Sequence, residues 1–459
     1  MQRSAVAGRP KPVEHAETSE ASEAEPELKP VDPRAKLRSF RVRALSTIAL
    51  IGTFIGVIWA GHVPLMFFIL LIQFLVAREL FRIAYLAQRS KRPLPLLRTQ
   101  QYFFFFTAVF WLYLRFIKKN LLVEVSSDKT LARLFYWALK HHSLISYSLY
   151  MAGFVGFVLS LKKGLYLHQF AQYAWTHMII LITTVPTSFF VSNIFSGLIW
   201  YVLPAFLIVG NDICAYLAGF FFGRTPLIKL SPKKTWEGFF GGFLGTLLLA
   251  FFLSALMSRY TWLTCPRKDL TVFKGLDCTP DEVFVPDTYT LPDLASHLPA
   301  GLASLAAAAA EVLPAGLRGW LADLTFSVAP IQLHALSLAT FASFIAPFGG
   351  FFASGFKRAF RMKDFGDTIP GHGGVTDRFD CQILMAMFAY CYYFSYISQP
   401  EVTLGDVLSQ AIKLDDHDQI LLVGKLANLL VGEGLIPGDV VDALHRHLGE
   451  RFTWDLPDS

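Results

Sequence analysis

The chain has 459 residues, of which 54% are hydrophobic and only 17% are charged, and its formal net charge is +6. A soluble domain carries roughly 25% charged residues and lacks repeated apolar stretches of about 20 residues, the length that crosses a ~30 Å hydrocarbon core. A soluble globular protein is therefore excluded, and so is a membrane β-barrel, because the apolar stretches lack the alternating pattern of barrel strands.

The N-terminal segment, residues 1–33, is rich in Glu, Ala, Pro and Ser without apolar periodicity, so we predict a disordered tail. Its acidic run argues against a mitochondrial or plastid transit peptide, since these avoid acidic residues. Basic residues crowd the approach to the first apolar stretch and the connection after the second, which predicts a cytosolic position for both. They are Arg34, Lys36, Arg38, Arg41, Arg43, Arg89, Lys91 and Arg92.

Nine apolar stretches are interpreted as transmembrane helices. They lie at about residues 44–60, 63–77, 102–117, 143–161, 171–190, 194–210, 239–257, 333–353 and 381–397. A tenth stretch, 213–222, is short and predicts a half helix. The predicted fold class is all-α: a polytopic membrane helical bundle of about nine or ten membrane helices within residues 34–400. Counting spans from the cytosolic N-terminal segment places residues 118–142 on the far side of the membrane. This segment is basic, and basic segments favour the cytosolic side, so the two indications conflict.

Two further regions lie outside this pattern. Residues 258–330 form a polar insert with an Ala-rich helix candidate at 303–313. The insert contains Cys265 and Cys278, which can form a disulfide if it faces an oxidising lumen. The C-terminal tail, residues 401–459, has apolar residues at helical spacing, so we predict a small helical appendage.

A first polar block interrupts the apolar pattern around residues 211–237. Its Ser231-Pro232 pair predicts the start of a helix, with the serine as cap and the proline in the first helical position. Lys233 and Lys234 would then lie in the first turn, where the helix dipole disfavours cations by up to about 1 kcal/mol. A bound anion would explain this arrangement, while a basic cluster that contacts only lipid headgroups is the alternative.

A second, denser polar block lies between the stretches at 333–353 and 381–397. Four aspartates and five basic residues fall within 24 residues: Asp364, Asp367, Asp377, Asp380, Lys357, Arg358, Arg361, Lys363 and Arg378. Asp377 and Asp380 are three residues apart and project from one helix face, and carboxylate oxygens are ligands that Mg²⁺ prefers. Glycines around His372 allow the backbone to approach a ligand closely.

Each feature of the second block also has a plain structural interpretation. Asp377 and Asp380 can favour a helix N-terminus, Lys357 and Arg358 can anchor the chain at the membrane surface, and His372 can be an ordinary loop residue. These interpretations do not jointly explain acids, bases and glycines in one short loop. Two predicted spans separate the two polar blocks, so both blocks lie on one side and can form a single site facing the cytosol.

The stretch from Ser354 to Asp380 resembles the signature of phosphatidate cytidylyltransferases, also called CDP-diacylglycerol synthases. Its Ser-x-x-Lys-Arg, Lys-Asp, Pro-Gly-His-Gly-Gly and Asp-Arg-x-Asp elements follow in order and spacing. Residues 211–242 resemble the eukaryotic branch, and the similarity covers about residues 40–400. Bacterial relatives tend to carry Gly-Asp-Leu before the first element, where this chain has Gly350-Phe351-Phe352. The metal ligands must then come from elsewhere, with Asp377, Asp380, Asp364 or Asp212 as candidates.

The resemblance implies attack by a phosphatidate oxygen on the α-phosphorus of CTP, with release of pyrophosphate. The residues it implies in catalysis are Asp377, Asp380, Lys357, Arg358, Lys363 and Asp364, with Mg²⁺ held by Asp377 and Asp380. Those it implies in substrate binding are Asn211, Asp212, Arg224, Ser231, Lys233, Lys234, Glu237, Ser354, Gly371, His372, Gly373, Gly374 and Arg378. The expected partners are CTP, phosphatidic acid and the lipid bilayer, without nucleic acid, and a homo-oligomer is left open.

Two other classes of function are left open. A CTP-dependent lipid kinase of the dolichol-kinase type would use the same nucleotide but would release CDP instead of pyrophosphate. A membrane transporter would place charges within its spans, whereas here they cluster in loops beside the membrane. The expected location is the endoplasmic reticulum with the site facing the cytosol, and a plastid or mitochondrial inner membrane stays open.

Overall fold

The computed structural model describes residues 33–87, 96–120, 130–228, 231–267, 276, 278–290, 292–293, 300–311, 314–398, 404–412 and 414–439. Apart from Pro33, the predicted disordered tail lies outside the described residues. The chain forms two compact units, residues 1–389 and residues 390–459. Each unit is described by itself.

The first unit is built almost entirely of helices. The six that precede the first polar loop are α1 (Pro33–Ala60), α2 (His62–Ala87), α3 (Leu97–Asn120), α4 (Thr130–Leu159), α5 (Tyr166–Ser196) and α6 (Ile199–Phe222). A hairpin of β1 (Pro226–Ile228) and β2 (Ser231–Thr235) leads to α7 (Trp236–Met257). After the insert come α11 (Pro330–Phe344), α12 (Pro347–Ala359) and α13 (Thr376–Tyr396). The core lies between these helices, where Leu65, Ile194, Leu203, Ile331 and Met385 are each fully buried.

The predicted all-α membrane bundle is confirmed. Seven helical segments of the described chain are long and apolar enough to cross a membrane: Arg41–Ala60, His62–Leu86, Leu134–Leu159, Tyr166–Ser196, Ile199–Phe222, Trp236–Met257 and Pro330–Ala359. The predicted spans at 102–117 and 381–397 lie on α3 and α13, which are not among these seven. The count of nine or ten membrane helices therefore stays a prediction.

The predicted half helix at 213–222 was wrong. The chain turns earlier, at Gly197, where a φ of 135° favours glycine, and α6 then runs unbroken from Ile199 to Phe222. The polar residues at 211–212 suggested a break. Asn211 is instead buried, and its side-chain oxygen accepts a hydrogen bond from Thr246 Oγ1 of α7 at 3.2 Å. A polar side chain whose partner lies on the adjoining helix does not interrupt a membrane helix.

The predicted helix start at Ser231 was also wrong. Ser231 pairs with Ile228 in the β1–β2 hairpin, and Thr235 pairs with Pro226. Helix α7 begins five residues later, capped by Thr235, whose Oγ1 accepts a hydrogen bond from Gly238 N at 3.2 Å. The two lysines consequently lie in a strand before the helix, because pairing with β1 keeps their backbone extended.

The insert, residues 258–330, lies between α7 and α11. Its described elements are α8 (Thr261–Thr264), a 3₁₀ turn (Glu282–Phe284), β3 (Asp287–Thr290), α9 (Ala300–Glu311), α10 (Ala315–Ala322) and β4 (Thr325–Val328). Helix α9 confirms the Ala-rich helix candidate, and β3 pairs antiparallel with β4. A Cys265–Cys278 disulfide closes its first loop, as considered from the sequence. The insert contacts the turn between α5 and α6, since Arg267 N donates to Phe195 O at 3.0 Å.

The second unit contains the end of α13 and two further helices, α14 (Leu404–Ala411) and α15 (Asp416–Gly432). Asp415 caps α15, because its Oδ1 accepts a hydrogen bond from Asp418 N at 2.9 Å. Helices are thus present in the segment predicted to be a small helical tail. The boundary of that tail as a domain stays a prediction.

Candidate active site

Asp377 organises the signature loop, which is defined as residues 360–375 between α12 and α13. Its Oδ1 forms an ion pair with Lys357 Nζ at 2.6 Å, and its side chain is only 6% exposed. Its Oδ2 accepts backbone hydrogen bonds from Phe365 N at 2.9 Å and Gly374 N at 3.1 Å. Both oxygens of this carboxylate are therefore engaged by donors of the chain itself, and they join the end of α12, the loop and the start of α13.

Glu79 of α2 also holds this loop, together with the first residue of α13. Its Oε1 accepts hydrogen bonds from Thr368 Oγ1 at 2.5 Å and Val375 N at 2.9 Å. Its Oε2 accepts from Thr376 N at 2.9 Å and Thr376 Oγ1 at 2.8 Å. Glu79 is 5% exposed, so four hydrogen bonds surround a buried carboxylate. Sequence reasoning missed this residue, although an acidic side chain within an apolar helix was an available signal.

The loop glycines are required where the backbone passes these carboxylates. A β-carbon on Gly374 would lie 2.8 Å from both Glu79 Oε2 and Gly366 N, closer than real β-carbons come. Gly371 and Gly373 have φ values of 76° and 83°, which L-residues with side chains rarely adopt. The glycines thus let the backbone pass close to side chains of the protein itself, and the predicted approach to a ligand stays a prediction.

His372 lies against the first helix. Its Nδ1 is 3.0 Å from Ser46 Oγ, and its Nε2 is 3.2 Å from Thr47 Oγ1, both on α1. Arg378 Nη2 donates to the carbonyl oxygen of His372 at 2.9 Å. The turn of the Gly-His-Gly-Gly element is thereby attached both to α1 and to the start of α13.

The two polar blocks meet in space. The ammonium of Lys234, from the first block, lies 4.9 Å from the ring centroid of Phe351 on α12. Asp212 on α6 experiences the positive charges of Lys234 and of Arg378, one from each block. Lys234 of the first block therefore contacts α12, the helix on which Ser354 and Lys357 of the second block lie.

Asp380 lies at the start of α13, ahead of the predicted span, and packs closely against α12. A β-carbon on Gly349 would be 2.5 Å from the carbonyl oxygen of Asp380, so only glycine allows this approach. Burial raises the pKa of the Asp380 carboxyl, and the charge of Asp212 adds to this shift. Hydrogen bonds from Cys381 and the charge of Lys357 oppose it. Asp212 and Asp380 are thus close enough to interact electrostatically, with Lys234 and Arg378 acting on the first and Lys357 on the second.

Two predicted site residues of the first block, Asn211 and Glu237, make contacts between α6, α7 and the segment that joins α6 to the hairpin. Asn211 bonds Thr246 between helices. Glu237 Oε2 accepts hydrogen bonds from Arg224 N at 3.1 Å and Thr225 N at 3.2 Å, while its Oε1 accepts from Thr225 Oγ1 at 2.8 Å. Glu237 therefore ties the end of α6 to the start of α7. The side chains of Ser231 and Lys233 lie outside the described residues.

The other predicted residues of the second block lie in the signature loop or on the helix before it. Arg358, Lys363 and Asp364 are exposed, and Ser354 is half-buried on α12. Asp364 packs against Gly373, at which a β-carbon would lie 3.2 Å from Asp364 Cβ. Within the described residues, no group of three or more His, Cys, Asp and Glu side chains is arranged to hold a metal ion by itself. A metal at this site would need ligands from a substrate as well.

Comparison with known proteins covers most of the chain. Residues 41–396 match the model of the cytidylyltransferase family. The chain is 45% identical over 401 residues to phosphatidate cytidylyltransferase 1 of Arabidopsis thaliana, covering 87% of this chain and 90% of that protein. It is 39% identical to phosphatidate cytidylyltransferase 1 of Homo sapiens, covering 88% and 81%. The matched residues include both polar blocks and α2.

Proposed function

This chain belongs to the cytidylyltransferase family, and we propose that it transfers the cytidylyl group of CTP to phosphatidic acid. The products are CDP-diacylglycerol and pyrophosphate, and the reaction is a step of phospholipid biosynthesis. One observation carries this proposal: the match to relatives of this name extends over most of both chains, and the family match over residues 41–396 includes every residue of the candidate site.

The reaction requires in-line displacement at the α-phosphorus of CTP. An oxygen of the phosphatidate phosphate forms the new P–O bond, while the bond from the α-phosphorus to the bridging oxygen breaks and pyrophosphate leaves with the electron pair. No covalent nucleophile from the protein is needed, so positioning and neutralisation of charge supply the rate enhancement. A site with basic side chains from two separate blocks suits two phosphate-bearing substrates.

We assign the phosphate contacts to the basic residues around Asp212. Lys234 and Arg378 face this carboxylate from the two blocks and are exposed, so both can reach a bound triphosphate. Lys357 keeps its place through Asp377 and adds its charge close to Asp380. Arg358 and Lys363 are exposed nearby and complete the predicted cationic set.

The residues present fit a divalent cation at Asp212 and Asp380 better than at Asp377. Both oxygens of Asp377 already accept hydrogen bonds, whereas Asp212 and Asp380 repel each other and would be relieved by a cation. Magnesium is held by one or two carboxylates together with substrate phosphates, so two aspartates suffice. When bound, Mg²⁺ would neutralise charge on the triphosphate and polarise the α-phosphoryl group. Asp377 then acts by holding the loop.

We propose that the site faces the cytosol. Helix α7 starts at the hairpin of the site and ends at the insert, so the insert lies at its other end. Disulfides persist in an oxidising lumen, and the Cys265–Cys278 bond favours that side for the insert. The endoplasmic reticulum is the proposed membrane, which fractionation of cells that express a tagged chain would check. The homo-oligomer stays a prediction, tested by the mass of the purified protein in detergent.

Pyrophosphate release from CTP by the purified protein in detergent tests the proposed function. We expect release only when phosphatidate and Mg²⁺ are both present, and none with a chelator. Release of CDP in place of pyrophosphate would support the lipid-kinase alternative. Folded protein that releases neither pyrophosphate nor CDP would contradict both enzymatic functions.

A further inference from the structure

We propose that Glu79 is a positioning residue for turnover, which holds the signature loop in its reactive geometry from within α2. This inference rests on the proposed function, because it concerns the rate of the same reaction. Glu79 lies far from the charged blocks in sequence, and neither block includes it. Its contacts in the fold, and not its neighbours in the chain, define the role.

The hydrogen bonds of Glu79 are of a kind that only a carboxylate can make. Each of its two oxygens accepts one backbone N–H, Oε1 from Val375 and Oε2 from Thr376. Each oxygen also accepts a hydroxyl, from Thr368 and Thr376 respectively. An amide in this place presents an NH₂ group to one of the two backbone N–H groups, whichever way it is turned. Glutamine is therefore a poor replacement despite its equal size.

Within the part of the chain that the structure describes, the carboxylate of Glu79 is stabilised by hydrogen-bond donors of the loop and of the first residue of α13, and not by a cationic side chain. All four donors are uncharged, and two of them are backbone N–H groups at the start of α13, where the helix dipole favours a negative group. Hydrogen bonds to a charged group are stronger than neutral ones, and leaving buried donors unpaired costs their desolvation. The position of these donors is thus fixed by the carboxylate more firmly than by packing alone.

Glu79 reaches the reacting groups through a short chain of contacts. Thr376, which it holds twice, directly precedes Asp377. Asp377 in turn positions Lys357 through the 2.6 Å ion pair. Arg378 and Asp380 follow within the first five residues of α13, so a displacement of Thr376 displaces the proposed phosphate and metal contacts together. A shift of about 1 Å at a reacting centre can lower the rate about 100-fold.

The test compares Glu79→Gln with Gln73→Leu in the full-length protein in detergent. Gln73 lies on the same helix, is 2% exposed and donates to Thr184 on α5 at 3.3 Å, so it controls for loss of a buried polar group. We expect kcat per folded molecule to fall about 100-fold in Glu79→Gln, with KM for CTP changed less than about threefold. Gln73→Leu should keep kcat within about twofold of the wild type.

A double substitution keeps the proposal testable if Glu79→Gln does not fold. Thr368→Val with Thr376→Val removes both hydroxyl donors, keeps the carboxylate and its backbone bonds, and should lower kcat about tenfold. The conservative counterpart, Thr376→Ser, retains its hydroxyl and should lose less than Thr376→Val. Folded fraction and unfolding temperature are measured for each variant, because a residue that serves stability alone lowers these and leaves kcat per folded molecule intact.

The outcomes separate this proposal from the proposed function. A kcat per folded molecule within about threefold of the wild type in Glu79→Gln would overturn the positioning role while the reaction stands. A double threonine variant whose kcat lies within about twofold of the wild type would also overturn the positioning role and leave the reaction in place. Absence of pyrophosphate release from the wild type and from Gln73→Leu would overturn both.

Discussion

Each of the two segments of the candidate site is held by a glutamate carboxylate that accepts hydrogen bonds from backbone N–H groups and hydroxyls. One carboxylate is buried and the other lies at the surface. In the signature loop, the carboxylate of Glu79 accepts two backbone N–H groups and two hydroxyls while buried within the bundle. In the hairpin, the carboxylate of Glu237 accepts the N–H groups of Arg224 and Thr225 and one hydroxyl at the surface. Water can replace hydrogen bonds lost at Glu237 but not those lost at the buried Glu79. We therefore expect activity to tolerate substitution of Glu237 much better than substitution of Glu79.

The largest loss of turnover is expected for Asp377→Asn, which changes the buried carboxylate that holds the signature loop. The amide must present its NH₂ group either to the Lys357 ammonium or to the N–H groups of Phe365 and Gly374. Breaking a buried ion pair in this way costs about 3–5 kcal/mol, and if this cost appears in the barrier, turnover should fall between about 150- and 5,000-fold. The fall in turnover is measured as the rate of pyrophosphate release by the membrane-inserted variant. Asp367→Asn, an exposed aspartate of the same loop, is the control and should stay near wild-type activity.

Gly374→Ala probes the space between the two carboxylates. Its new methyl group would lie 2.8 Å from Glu79 Oε2 and 3.1 Å from Asp377 Oδ2, so the loop must move away from both. We expect kcat to fall about 100-fold. Gly52→Ala is the matched control, because a β-carbon there meets no atom within 4 Å. Equal activities of the two alanine variants would show that the loop is not held as tightly as its contacts indicate.

Lys234→Met tests the contribution of the hairpin to nucleotide binding. The methionine keeps the apolar stem beside Phe351 and removes the ammonium that faces Asp212. One charge-assisted contact to phosphate corresponds to about a tenfold rise in KM for CTP, with kcat changed less. Lys163→Met, at an exposed lysine between α4 and α5, serves as the control. A change in kcat alone would place Lys234 outside nucleotide binding.

The smallest effect is expected for Glu237→Gln. Here the amide oxygen can face the two backbone N–H groups while its NH₂ donates to Thr225 Oγ1, so every hydrogen bond has a replacement. Turnover should stay within about threefold of the wild type. A loss as large as that expected for Glu79→Gln would break the comparison between the two loops.

Much of this organisation was predictable from the sequence, for identifiable reasons. Long apolar stretches predict membrane helices by composition alone. The signature elements indicated the loop because acids, bases and glycines fall together in one short segment with the order and spacing of the family. The helix start at Ser231 failed because its Ser-Pro signal is local, whereas the pairing of Ser231 with Ile228 is a contact between strands. The half helix at 213–222 failed because the partner of Asn211 lies on another helix, at Thr246.

Glu79 shows what sequence reasoning could not supply for the site. Its separation from the signature loop by almost 300 residues hides the contact. The metal role of Asp377 stays a prediction. The hydrogen-bond partners of its two oxygens, which support the loop-holding role proposed above, depend on the fold and are not visible in the sequence.

The most direct test of the central claim uses CTP labelled at a single phosphate, with phosphatidate, Mg²⁺ and purified protein in detergent. Label in the α-phosphate should enter the lipid fraction as CDP-diacylglycerol, and label in the γ-phosphate should leave as soluble pyrophosphate. Label from the γ-phosphate in the lipid, with CDP in solution, would contradict cytidylyl transfer and establish a lipid kinase.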